Sequence, residues 1–221
     1  MSAEKPDYTR RQIAKRCVLL AAALYIMTIG ISMSKLAGLG TTPISCIPAT
    51  LSYSTPLSMG AWTVIFNFLL ICIEAAVLGR QFRPVQFMQL IMAAAIGIFT
   101  DINLEVFSFI DPGSYAESWA WCILSGAILG LGVMLEVRSN ILVAPGEGVV
   151  VAFTTRFKVP FPRMKIVSDT SMVITAVILS LAMLGDLEGV REGTIFAALT
   201  VGIWVGFFRK HLGKAADRFT A

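Results

Sequence analysis

The sequence predicts an all-α integral membrane protein built as two inverted-topology repeats. Each repeat holds three transmembrane helices plus one broken, re-entrant half-helix segment. Three observations carry that prediction. Hydrophobic residues make up 56% of the 221-residue chain and charged residues 14%, against roughly a quarter charged in a soluble domain, and the apolar stretches are long enough to span lipid. Displaced by about a hundred residues, the chain lies over itself without a gap. Gly30 then falls on Gly132, Pro43 on Pro145, Ser45 on Glu147 and Asn67 on Asp169. The order of features repeats as well: apolar helix, Gly/Pro-broken polar segment, apolar helix, short charged turn, apolar helix. Inverted repeats with broken helices at corresponding places are the pattern of secondary transporters.

Residues 1–16 are polar and basic and form a cytoplasmic amino-terminal segment. The first repeat, 17–109, opens with an apolar run at 17–34 that is expected to stay as a first helix and not to be cleaved as a signal peptide. Two further spans follow at 59–79 and 85–109, then an outer loop at 110–116. The second repeat, 117–208, carries spans at 117–136, 164–184 and 193–208, and residues 209–221 form a basic cytoplasmic tail. Between the first two spans of each repeat lies a segment too short and too polar to cross, at 38–54 and 141–156. The first contains Leu39-Gly-Thr-Thr-Pro-Ile-Ser-Cys-Ile-Pro48, the second Leu142-Val-Ala-Pro-Gly-Glu-Gly148.

Charge sets the topology. Lys5, Arg10, Arg11, Lys15 and Arg16 hold the amino terminus in the cytoplasm. Arg80 and Arg83 mark a cytoplasmic turn, Arg156, Lys158, Arg163 and Lys165 another, and Arg209, Lys210, Lys214 and Arg218 the tail. The opposite turns hold mostly acids, Asp101, Glu105, Asp111 and Glu117 in one and Asp186, Glu188 and Glu192 in the other, with Lys35 and Arg191 the basic exceptions. Both short segments must then enter and leave on one side. If they spanned, Arg80 and Arg83 would move outside with no compensating charge. Three crossings per repeat make the second repeat inverted.

Non-helical backbone at membrane depth is tolerated where protein buries it or a watery cavity satisfies it. Proline suits the first turn of a helix, so both half-helices are expected to start near mid-membrane with their amino ends facing each other. Their free N–H groups and positive dipole ends suit an anion or a polar solute. The candidate substrate-binding residues are Thr41, Thr42 and Ser45 on one side, Gly146 and Glu147 on the other, and Asn67 and Asp169 on the helices that follow. An ionisable group inside the membrane points to function, and Glu147 is the foremost candidate; as a carboxylate near a helix start it can equally serve as a cap. Asp169 lies one turn from Lys165 and can pair with it instead. Glu74 is placed to pair with Arg80 or Arg83, Arg138 and Glu136 to form interfacial ion pairs or else to gate or bind substrate, and Thr194 to cap the last helix or touch a solute.

The remaining features exclude other classes. The net charge of +4 comes from residues at helix ends, so it reflects topology and no nucleic-acid partner is expected. Cys17, Cys46, Cys72 and Cys122 form no CxxC pair and are read as buried thiols acting as small hydrophobes. His211 has no metal or catalytic companion. No cofactor or metal is expected. The chain lacks Gly-x-Ser-x-Gly and any nucleotide-binding loop, so neither an enzyme nor an ATP-driven pump is expected.

At the break Ala144-Pro-Gly-Glu147, the basic run Arg156…Arg163-Met-Lys165 leading to Asp169, and Gly189…Gly193-Thr194, the chain resembles the bacterial YczE/YyaS/YitT family of integral membrane proteins. The resemblance covers most of residues 17–208. It implies a multi-pass protein of the bacterial plasma membrane with a transport function and names no substrate. Members of that family often carry an acid at both breaks; Ser45 stands at the first one here, so the two halves are expected to do different work.

The leading expectation is a secondary transporter or exporter of a small polar or anionic solute, bound between the two breaks, with proton coupling through Glu147. A passive channel and a non-transporting scaffold or regulator are the alternatives. Its partners would be the lipid bilayer and a small-molecule solute, with the chain acting as a monomer or a homodimer.

Overall fold

A computed structural model describes residues 8–221; the basic signal at Lys5 lies outside them. The described residues form eight α-helices and no strand: α1 Arg10–Leu36, α2 Pro43–Ser54, α3 Met59–Leu78, α4 Gln89–Val106, α5 Tyr115–Ser139, α6 Pro145–Phe157, α7 Phe161–Leu184 and α8 Glu192–Thr220. Two short 3-10 turns, Gly79–Gln81 and Pro84–Met88, join α3 to α4. Six of the helices are long and apolar enough to cross a membrane. Their outward faces carry large apolar side chains such as Ile91, Ile98, Ile166, Leu199 and Ile203. Water would not tolerate so continuous an apolar surface. The chain is a multi-pass membrane protein.

The long helices start and stop where local chemistry directs. α1 begins before the apolar run at 17 because Thr9 and Gln12 form a reciprocal capping box, satisfying two orphan amides. Ser114 caps α5 by accepting from the Glu117 amide at 3.3 Å. Asn140, with φ of 49°, ends α5 in the left-handed conformation, which asparagine adopts more readily than most residues. α8 continues through the whole basic tail to Thr220, and the tail docks on the bundle. Asp217 forms an ion pair with Arg138 at 2.9 Å, and the Ala221 carbonyl accepts from the Gln12 side chain at 3.3 Å. Both described chain ends thus lie at one end of the bundle.

The two short helices differ in kind. α2 has 12 residues and α6 has 13, which at 1.5 Å per residue is roughly 18–20 Å, short of an apolar layer about 30 Å thick. Each starts with proline at its first turn.

Packing follows sequence position. α1 lies along α5, made possible by two glycines. A methyl group at Gly30 would sit 2.8 Å from the Leu129 amide nitrogen, and one at Gly132 would sit 2.8 Å from the Met27 amide nitrogen. Only hydrogen in place of Cβ allows backbones so close. α1 also packs on α4 and α5 on α8, while α2 packs on α7 and α6 on α3. Leu24, Met27, Ile31, Met92, Ile96 and Leu129 form the largest buried cluster, at the meeting of α1, α4 and α5.

Three expectations are corrected. Glu74 does not pair with arginine: it is 2% exposed, and one of its oxygens accepts from the Gln86 and Gln89 amides. The turn after α3 folds those glutamines over it, which sequence distance alone does not reveal. Cys46 and Cys122 are buried, but Cys17 and Cys72 are exposed, since they lie on the outward faces of α1 and α3. Arg138 and Glu136 do not share one role: Arg138 pairs with Asp217, whereas Glu136 turns inward.

Candidate functional site

The amino ends of α2 and α6 meet. A methyl group at Gly146 would lie 1.7 Å from Ile44 Cδ1, so the first turns of the two half-helices touch side chain to backbone. Neither cap residue, Thr42 or Ala144, supplies a side-chain hydrogen bond to its helix. Proline begins each helix without an N–H, and the Ser45 amide donates to the Thr42 carbonyl at 2.9 Å, so the amides that keep their orphan character are those of Ile44, Gly146 and Glu147.

Beside this junction is a cavity of about 390 Å³ walled by all eight helices. Its walls are mostly apolar: Met27 and Ile31 from α1, Phe66 from α3, Ile96 from α4, Leu129 and Val133 from α5, and Val201 and Val205 from α8. Thr42, Ser45, Asn67, Glu147, Lys165 and Asp169 supply polar groups.

Five of the seven candidate residues therefore border one space: Thr42, Ser45, Asn67, Glu147 and Asp169. Thr41 does not. Its amide and hydroxyl both turn to the Gly189 carbonyl, at 3.2 and 3.5 Å, tying the loop before α2 to the loop before α8. Gly146 does not border the cavity either; its role is to let Ile44 approach. Thr42 donates to Ser45 at 3.1 Å. Asn67 is 6% exposed, makes no side-chain hydrogen bond to the described residues, and borders the cavity. Thr194, fully buried, caps α8 by accepting from the Arg191 amide at 3.4 Å.

Lys165 is the group that charge counting sent elsewhere. It belongs to the basic run that sets topology, yet its ammonium reaches Asp169 at 2.9 Å and Glu147 at 3.6 Å. The i,i+4 pairing with Asp169 was legible in the spacing; the reach to Glu147 depends on how α6 meets α7. Glu136, 2% exposed, stands behind them. Its carboxylate accepts from the Ala144 amide at 2.6 Å, which fixes the start of α6, and it lies within electrostatic reach of Glu147 and Lys165. Glu136 precedes Ala144 by 8 positions, and nothing in the sequence between them signals that this carboxylate folds back onto the break.

Pro48 lies inside α2. It has no N–H, so the Ile44 carbonyl four residues earlier lacks its helical donor. Both residues border the cavity.

The same arrangement of helices and breaks falls within a recognised family. The model of a family of unknown function (DUF6198) matches residues 14–210. The chain belongs to DUF6198. That match takes in all of α2 to α7 and most of α1 and α8. A protein of Haemophilus influenzae known only as "Uncharacterized protein" is 24% identical over 196 residues, 88% of this chain and 83% of its own. "Uncharacterized protein YyaS" of Bacillus subtilis is 32% identical over 124 residues, 55% of this chain and 60% of its own. The DUF6198 match and YyaS agree with the resemblance read from Ala144–Glu147 and the Gly189–Thr194 stretch. No solved structure matches the chain.

Proposed function

We propose that this DUF6198 protein is a secondary transporter whose solute binds in the cavity between the opposed half-helices. The observation that carries the reading is the meeting of the amino ends of α2 and α6 beside a space that every helix walls. A structural scaffold has no use for broken helices, unpaired amides and a carboxylate there, since each costs free energy in the apolar layer.

The inverted repeat supports alternating access and is part of the same proposal. α2 packs on α7 as α6 packs on α3, and α1 on α4 as α5 on α8. Asn67 and Asp169, equivalent in the repeat, border the same space. Rocking of one repeat against the other would expose the site to each side in turn. The basic residues at the end of the bundle where both chain ends lie give that end to the cytoplasm of a bacterial plasma membrane. Proton coupling through Glu147 belongs to the reading as well; solute-driven proton movement that disappears in Glu147→Gln while solute binding persists would support it.

The experiment is counterflow in proteoliposomes. Cells or vesicles are first screened for a transported solute, and the purified protein is then tested for uptake stimulated by the same solute inside. Saturable, countertransport-stimulated flux lost in Glu147→Gln supports a transporter. Flux that neither saturates nor responds to internal solute contradicts it and favours a pore.

A further inference from the structure

The cavity's charge and lining point to the class of solute, an inference that rests on the transport reading above. Half-helix amino ends favour an anion, each equivalent to roughly half a positive charge. At α6 that charge is already answered twice, by Glu147 in the first turn and by Glu136 accepting from the Ala144 amide. Around the cavity, two carboxylates (Glu147 and Asp169) face one ammonium, that of Lys165, with Glu136 buried behind them.

The ammonium is not shared equally. It stands 2.9 Å from Asp169 but 3.6 Å from Glu147, the latter beyond a hydrogen bond. Glu147 accepts no side-chain or backbone hydrogen bond from the described residues, and its side chain keeps 27% of its exposure, at a position bordering the cavity. It is a carboxylate facing open space with its one countercharge pulled toward another acid.

Two neutral groups are also without partners, the Asn67 carboxamide, which can accept or donate, and the Ile44 carbonyl, which can only accept. Asn67 is buried to all but 6% and holds its unpartnered carboxamide at the cavity wall, independently of the charged trio. The Ile44 carbonyl has lost its helical donor to Pro48. Apart from the hydroxyls of Thr42, Ser45 and Thr63, the rest of the wall is apolar. A strongly hydrated inorganic ion would gain little from such walls, whereas an organic body would exchange water for them favourably.

We infer that the cavity takes an organic cation, its charged nitrogen against Glu147 and its apolar body against the α1, α5 and α8 walls. Lys165 then acts as an internal competitor: it occupies the neighbourhood of Glu147 when the site is empty and withdraws to Asp169 when a cation arrives. The apo state thus avoids an uncompensated carboxylate at membrane depth.

The test uses two probes of nearly the same shape and opposite charge, benzyltrimethylammonium and phenylmethanesulfonate, titrated into the full chain in lipid nanodiscs. The ammonium is expected to bind, with affinity reduced about tenfold or more in Glu147→Gln, the loss expected when a charge-assisted contact goes. Lys165→Met is expected to tighten it, because Glu147 loses its competitor. Unchanged melting of each variant shows that the fold survives, and Glu147→Asp, which keeps the charge, should retain most of the affinity. Preferential binding of the sulfonate, weakened by Lys165→Met and indifferent to Glu147→Gln, overturns the cation assignment and leaves the transport reading standing. Binding of neither probe by folded protein also overturns the cation assignment, and the transport reading then stands or falls on counterflow alone.

Discussion

At the level of single residues, the site divides into groups that border the cavity and groups that shape it. Glu147, Asn67 and Ser45 border the cavity; Gly146 makes room. Gly146→Ala would drive a methyl group into Ile44, the flexible tip of a side chain and not backbone. It should lower stability by about 1–3 kcal/mol, the usual cost of overpacking, and Ile44→Ala in the same chain should recover most of that loss. Thermal melting of the two single variants and the pair checks the coupling. Arg138 and Asp217 pair at a half-exposed surface, where such bridges contribute about 0–1 kcal/mol; Asp217→Ala should therefore move the melting point little, in contrast to Gly146→Ala. Much of this scale was legible in the sequence. A carboxylate after a Gly/Pro break identifies itself by its cost. Glu136 and Lys165 did not, because Glu136 reads as one more interfacial charge and Lys165 as one more cytoplasmic one, and their reach to Ala144 and Glu147 exists only after α5, α6 and α7 pack.

Among the elements, prolines and glycines do most to decide the architecture. Pro43 and Pro145 start the half-helices, and the sequence placed both within the correct segments because a proline among glycines and hydroxyls inside an apolar region has few other readings. The boundaries of the long helices were less legible. α1 extends seven residues ahead of the expected 17 through a capping box, and α8 carries the tail as helix, because charge marks where lipid ends and not where hydrogen bonding ends. Gly30 and Gly132 are the contact between α1 and α5. Since the facing atoms at both are backbone nitrogens, no side-chain rearrangement can absorb a larger residue. Gly30→Leu or Gly132→Leu should leave little folded protein, judged by monodispersity on size exclusion, whereas Gly202→Leu, with open space around it, should be tolerated. Pro48→Ala should return a donor to the Ile44 carbonyl and stabilise α2; where that carbonyl contributes to the cation, binding of the benzyl ammonium probe should weaken.

For the molecule as a whole, the chain arranges polar cost around one space. Its six crossing helices are ordinary apolar segments, and the expensive features, two breaks, three carboxylates, a lysine and an unpaired amide, gather where the two halves meet. Overall architecture was legible because composition and hydropathy dictate six membrane helices. The cavity was legible only as an expectation of opposed amino ends; its apolar walls come from α1, α5 and α8, whose lining residues look in sequence like any other membrane filling. That mixture of a few acids with many apolar walls shifts the expected solute from an anion to an organic cation.

Transport by this chain requires that the junction of α2 and α6 border a solute path open in turn to each side. The direct measurement is labelling of single cysteines at Ser45 and Asn67, in a background lacking the four native cysteines, by an impermeant thiol reagent in intact cells and in inside-out vesicles. Both positions are expected to react from both sides and to be protected by excess solute, while a cysteine at buried Ala49 reacts from neither. Labelling of Ser45 and Asn67 from neither side, in folded protein, would contradict the transport reading.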